Sequence, residues 1–152
     1  PPKLDFDLKL VNLKREKPEY KNLRYKKILS YLSKLDNSKS DIGLVYKKKI
    51  LESGTSNLLF VKDKKVYSPK KNYYEGNTFR FFKTKINKII KKDIFINELN
   101  NYDEIILIGS GKGVVSVKTI RQIAWKRKNL KQFKIFLKYY HLAAKKCNQY
   151  KF

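Results

Sequence analysis

Glu52-Ser53-Gly54-Thr55-Ser56-Asn57-Leu58-Leu59-Phe60-Val61 is the most specific stretch of this chain. A carboxylate stands at its head, a run of small and hydroxylated residues makes a turn, and an asparagine leads into an apolar run of strand length. Taken alone, a glutamate at a strand end is ordinary. Three other segments keep it company: Lys21-Asn22-Leu23-Arg24-Tyr25 upstream, Gly76-Asn77-Thr78 downstream, and Asp103-Glu104 followed by Gly109-Ser110-Gly111.

Outward from Glu52 the chain mixes helix and strand signals without regular βαβ alternation, which makes the fold class α+β. Tyr25, Ile28, Leu29, Leu32 and Leu35 fall at helical spacing and predict an amphipathic helix over about 21–35 with those residues inward. Asp36 to Ser40 is a polar turn, and strands are expected near 42–46, 57–61 and 64–67, joined by lysine-rich turns. Asn77 or Thr78 can cap a second helix running to about Lys92, with Phe79, Phe82, Ile86, Ile89 and Ile90 inward. Glu104–Ile108 and Val114–Val117 read as strands, and Ile120–Trp125 as a segment able to pair with one of them. A last helix over about 129–146 turns Leu130, Phe133, Phe136, Leu137 and Tyr140 inward and its lysines outward. Residues 1–20, charged and holding Pro1, Pro2 and Pro18, read as a linker entering a domain that spans 21–152.

A net charge of +24 makes nucleic acid the first suspect. Lysine supplies 32 of the basic residues and arginine only 5, whereas readers of phosphates and bases favour the bidentate arginine fork. The lysines are spread along the whole chain with no basic tail, so a solvated surface is the favoured reading. No stretch approaches the ~18 apolar residues of a membrane span. One cysteine, Cys147, excludes an internal disulfide and fits a reducing compartment, with the cytoplasm as the expected location. His141 has no metal-ligating residue at suitable spacing. The absence of methionine reads as a fragment of a longer polypeptide.

A lysine, a carboxylate and two Gly/Ser/Thr turns are what a phosphorylated pyridine aldehyde needs. The order and spacing of the four segments are similar to those of the class IV aminotransferases, the fold-type IV pyridoxal-phosphate enzymes, over about residues 15–125. The resemblance implies the larger, C-terminal domain of a two-domain enzyme: a mixed sheet or pseudo-barrel with flanking helices, acting on a small-molecule amino substrate and homodimeric when intact. It also implies roles for individual residues. Lys21 bonds the pyridoxal phosphate covalently and later moves a proton, a task that requires its ordinary pKa of ~10.4 to be lowered. Glu52 faces the pyridine nitrogen and keeps it protonated, with Thr55 and Asn57 in the same cofactor-binding turn. Asn77 and Thr78 hold the phosphate at a helix start, Gly109 and Ser110 contact it from a second loop, and Gly111 lies near the substrate carboxylate. Arg24 and Asn77 stand where the family more often has asparagine and isoleucine. Gly109-Ser110-Gly111-Lys112-Gly113 lacks the four-residue gap of a P-loop and reads as a tight turn between strands. Within the family, the Lys-x-Leu spacing and the ending Gly113-Val-Val-Ser-Val117 look more like 4-amino-4-deoxychorismate lyase, which makes p-aminobenzoate for folate, than like branched-chain or D-amino-acid aminotransferases.

The competing reading is a non-enzymatic basic module in which Lys126, Arg127, Lys128, Lys131, Lys134 and Lys138 track phosphates. It requires Phe133 and Tyr140 to be exposed for stacking, and their periodicity places them inward.

Overall fold

The computed structural model describes residues 3–13, 21–70, 76–86 and 88–149, excepting the side chains of 3–4, 21–24 and 146–149. Within them the chain runs β1 (Lys3–Asn12), α1 (Lys21–Ser33), β2 (Ser40–Tyr46), β3 (Lys49–Ser53), β4 (Asn57–Lys62), β5 (Lys65–Pro69) and α2 (Asn77–Lys85). It continues through β6 (Ile89–Lys92), β7 (Ile94–Phe95), a 3₁₀ segment Ile96–Asn101, β8 (Glu104–Gly109), β9 (Gly113–Ile120), β10 (Trp125–Lys126) and α3 (Lys131–Gln149). All ten strands join one mixed sheet ordered β6-β5-β4-β8-β9-β1-β2-β3-β7, with β10 folded back on β9. The β1–β2, β1–β9 and β5–β6 pairs are parallel, and the rest are antiparallel.

The continuous apolar runs on β4 and β8 follow from burial on both faces of the sheet. Ile105 and Leu107 of β8, with Leu58 and Phe60 of β4, point into an inner core that also holds Phe6, Leu8, Ile50, Tyr102, Val115, Val117 and Trp125. Ile106 and Ile108, with Leu59 and Val61, point the other way, onto Phe79 and Phe82 of α2 and Phe133 and Phe136 of α3. A third, smaller cluster seats Ile28 and Leu32 of α1 on Val11, Leu13, Ile42 and Leu44. The inner core joins residues of β3 to residues of β4 and β8, as the pseudo-barrel expectation requires.

Several sequence expectations are corrected. Residues 3–12 are not a linker but the central strand β1, between β9 and β2, with Phe6 and Leu8 buried. Their charges sit on the alternate positions of a period-2 pattern, Phe6-Asp7-Leu8-Lys9-Leu10, so the charge count masks a strand signal. Residues 14–20, the rest of that segment, lie outside the described residues. The helix expected to reach Lys92 stops at Lys85, and Ile86 is extended (φ −95°, ψ 126°). Ile89 and Ile90, β-branched and better suited to a pleat, belong to β6 and pair with Val66 and Tyr67. Tyr25 (61 % exposed) and Leu29 (46 %) do not face inward; Ile28 and Leu32 are buried in the core cluster, with Tyr31 and Leu35 packed at its edge. Of Ile120–Trp125, Ile120 ends β9 and pairs with Trp125, which opens β10, and Arg121–Ile123 form a 3₁₀ turn between them.

Strand β3 was not anticipated. It returns from β2 through Lys47 (φ 50°) and Lys48 (φ 64°), two consecutive left-handed residues that turn sequences usually fill with Asn-Gly. Each such non-glycine residue is strained by roughly 1–2 kcal/mol. The double substitution Lys47→Asn/Lys48→Gly is therefore expected to stabilise the chain by about 1 kcal/mol, seen as a rise of about 2–4 °C in Tm. An unchanged or lower Tm would show that the lysine turn is not strained.

Glu104 opens β8 fully buried and accepts the backbone N–H groups of Gln132 (3.0 Å) and Phe133 (3.0 Å), capping α3 across the chain. Burial raises its pKa above the usual carboxylate value, against those two hydrogen bonds, which pull it down. A folded-state pKa above the unfolded one contributes stability in acid that is lost as pH rises through the folded value. Glu104→Gln lacks this titration. Its stability relative to wild type should thus improve between pH 4 and 7, measured by urea denaturation at each pH, and a gap that widens instead would reverse the sign.

Candidate functional site

The β3–β4 loop and the β8–β9 turn emerge side by side because β4 and β8 are paired in register, Asn57 opposite Ile108. Between them opens a cleft of about 340 Å³. Its described lining includes Glu52, Thr55, Asn57, Gly109 and Ser110, five positions singled out in the sequence, together with Gly76. Ser53, Gly54, Ser56, Ile108 and, from α1, Tyr25 and Ile28 complete it.

Glu52 owes its direction to a bulge. In the β2–β3 ladder Leu44 pairs with Glu52 but Val45 pairs with Ile50, leaving Leu51 as the extra residue. Ile50 and Leu51 are consequently both buried, and the half-buried Glu52 is turned to the cleft. The following loop is knotted around Ser53, whose Oγ accepts the N–H groups of Thr55 (3.2 Å) and Ser56 (2.7 Å) and donates to the Ser56 carbonyl (3.0 Å). Asn57 is buried, and its Oδ1 accepts the Gly76 N–H (3.1 Å), which ties the loop to the start of α2.

Asn77 and Thr78 do not cap α2. The cap is Gly76, which has no side chain to offer, so nothing from the cap residue competes for the first-turn N–H groups. Gly76 lines the cleft, while Asn77 is exposed and Thr78 half-buried just behind it. Gly109 is required sterically, because a Cβ there would lie 2.5 Å from Ser56 Oγ. Gly111 sits at the exposed outer tip of the turn with open space around it, outside the cleft lining. Lys21 opens α1, and its side chain is outside the described residues. The 100° helical step places position 21 on the same face as Tyr25 and Ile28, the two α1 residues that line the cleft.

Two residues that the sequence reading missed organise this region. Asp41, fully buried at the start of β2, accepts the Thr55 hydroxyl (2.6 Å) and the Lys112 ammonium (3.0 Å) on one oxygen and the Ile42 N–H (2.7 Å) on the other. Lys112 Nζ also lies 4.9 Å from the centre of the Phe6 ring. The Thr55 proton points to Asp41, so the 3.1 Å contact between Thr55 and Ser56 is donated by Ser56. The Thr55 hydroxyl therefore has no proton left to donate to a ligand. A single aspartate among many lysines gives no spacing signal, and only the fold brings residues 41, 55 and 112 together. Among the described residues, no three His, Cys, Asp or Glu side chains gather as a metal site, and no helix is long and apolar enough to cross a membrane.

Residues 2–120 match the family described as amino-transferase class IV. The chain belongs to the class IV aminotransferase family. Solved structures of the family share its fold. A branched-chain aminotransferase from Thermoproteus uzoniensis, with norvaline, superposes at TM-score 0.71 and 14% identity, covering 90% of this chain and 50% of its own. The 4-amino-4-deoxychorismate lyase of Pseudomonas aeruginosa gives 0.66 and 18%, covering 84% and 52%. The branched-chain aminotransferase of Escherichia coli gives 0.65 and 16%, covering 82% and 47%. The chain thus spans about half the length of these structures. No curated protein sequence matches it.

Gly109→Ala tests the cleft's packing. The added methyl must displace Ser56 or move backbone, since the Thr55 carbonyl is also only 3.3 Å away. A loss of about 1–3 kcal/mol in thermal or urea unfolding is expected, as for other overpacked sites. Gly111→Ala, in open space, serves as the control and should cost less than about 0.5 kcal/mol. Equal costs at the two positions would mean that the cleft is looser than this geometry.

Proposed function

We propose that this chain is the cofactor-bearing part of a pyridoxal-phosphate-dependent class IV enzyme, and that the enzyme is 4-amino-4-deoxychorismate lyase. The carrying observation is the convergence of Glu52, the Ser53–Asn57 loop, Gly76 at the start of α2, and Gly109–Ser110 on one cleft beside the first turns of α1. The residues present suit the cofactor. An uncapped helix start beside Gly76 and the Ser110 turn offer N–H and O–H donors to a phosphate, while Glu52 on the opposite strand end offers an acceptor to a ring N–H. When bound, pyridoxal phosphate supplies an electron sink for charge developing at the substrate's α-carbon.

The chain's own groups do the rest. Glu52 would accept the ring N–H and keep the ring nitrogen protonated, which would deepen the sink. Lys21 would hold the cofactor through its side-chain amine and, with that amine free, would carry a proton as general base and acid. The lyase assignment rests on Lys21-x-Leu23 and on Gly113-Val-Val-Ser-Val117. A branched-chain or D-amino-acid aminotransferase is the second reading within the same cofactor chemistry. A basic nucleic-acid module is disfavoured because Phe133, one of the two aromatics that would stack on bases, is 1 % exposed and packed from α3 onto the sheet.

Mixing the full-length parent with pyridoxal phosphate should produce a yellow protein. Borohydride should then fix the cofactor on the Lys21 peptide, and Lys21→Ala should show neither effect. Glu52→Gln should retain the cofactor while losing on the order of 10²-fold in turnover. Release of p-aminobenzoate from 4-amino-4-deoxychorismate would select the lyase, and amino transfer from a branched-chain or D-amino acid would select the second reading. A folded parent that takes up no pyridoxal phosphate would overturn both.

A further inference from the structure

We propose that Asp41 is the positioning residue of this cleft: one buried carboxylate to which the β3–β4 loop and the β8–β9 turn are both tied, setting the gap between them. Neither loop is held there by sequence proximity. Thr55 lies 14 residues from Asp41 and Lys112 lies 71 residues away, yet both donate to the same Asp41 oxygen, at 2.6 and 3.0 Å. The remaining oxygen is taken by the Ile42 N–H at 2.7 Å. Lys112 is fixed from its other side by the Phe6 ring on β1, and its side chain is only 12% exposed. Gly54 closes the loop onto the same strand, its N–H donating to the Ile42 carbonyl (3.0 Å) where a Cβ would lie 2.8 Å from Ile42 Cγ1.

Two consequences follow from the chemistry. A charge-assisted contact on each loop, sharing one acceptor, couples the loops: weakening either arm leaves a buried charge less compensated and loosens the other. The carboxylate also orients the hydroxyls. Ser56 donates to Thr55 and Thr55 to Asp41, so Ser56, at the cleft wall, has only lone pairs left for a ligand. That wall takes a ligand's hydrogen-bond donor, and an anionic group is directed to the Ser110 and Gly76 side. The ligand side of this inference rests on the pyridoxal-phosphate reading, while the coupling of the loops does not.

Hydrogen–deuterium exchange on the ligand-free full-length protein tests the coupling, and absorbance titration with pyridoxal phosphate tests its consequence. Lys112→Met is expected to speed exchange about tenfold at the Thr55 and Ser56 amides, across the cleft from the substitution. Thr55→Val is expected to do the same at the Gly109–Gly113 turn. Both variants should weaken pyridoxal phosphate binding about tenfold and lower Tm, because a buried charge loses a partner, and Lys112→Arg, which keeps the ion pair, should restore exchange and binding to near wild type. These variants make the test independent of whether Asp41→Asn folds. If each substitution loosens only its own loop, Asp41 makes two local contacts and the proposal falls. If exchange is coupled while wild type binds no pyridoxal phosphate, the positioning role stands and the cofactor reading fails.

Discussion

The antiparallel pairing of β4 with β8 is the constraint on which the rest depends. Both strands are buried on both faces, and the two faces look onto different cores, one inside the curled sheet and one beneath α2 and α3. A one-residue slip would exchange the two sets of side chains. Leu58 and Phe60 would then meet the phenylalanines of the helices, and Leu59 and Val61 would meet Tyr102 and Trp125, with neither set the right shape. The register is therefore fixed by packing rather than by turn chemistry. The same register places the loop before Asn57 against the turn after Ile108, which is why a cleft exists at that edge.

Scarcity of acid shapes the polar architecture. With 13 acidic residues against 37 basic ones, the chain cannot neutralise its lysines pairwise. Among the described residues, two fully buried carboxylates serve as anchors instead, Asp41 for the cleft loops and Glu104 for the N-terminus of α3. Several lysines set their ammonium over an aromatic ring, 5.7–6.0 Å from its centre: Lys83 and Lys91 over Phe79, Lys62 over Tyr102, Lys92 over Tyr67. Such contacts cover apolar surface without any partner molecule. The positive charge is thus compatible with a fold that does not engage nucleic acid.

What could be read from the sequence follows the strength of the local signal. β8, β9 and α3 are legible because an apolar run or a helical stripe extends over enough residues to outweigh noise. β1 is hidden by its charges, although Phe6, Leu8 and Leu10 alternate as a half-buried strand should. β3 is hidden by its turn, where lysines occupy positions that glycine or asparagine normally marks. The site shows the same division. Glu52, Asn57 and Gly109 are visible because a carboxylate, an amide and a glycine stand in small-residue turns. The bulge at Leu51, the Gly76 cap and the Asp41 anchor depend on neighbours that are distant along the chain. No local pattern announces them.

The solved relatives sharpen what this half of the fold can decide. A lyase superposes on it at a TM-score of 0.66 and branched-chain aminotransferases at 0.65 and 0.71, so the fold is common to both kinds of relative. Discrimination must come from side chains at the cleft. Those on the described loops are mostly serine, threonine and glycine, whose hydroxyls and N–H groups are largely engaged in holding the loops themselves. Such residues fix where a ligand sits but contribute little shape that would tell one substrate from another. The exception is Tyr25, a large, mostly exposed side chain that lines the cleft from α1. Its ring and phenol are thus the bulkiest part of the described lining, set against loops made of small residues.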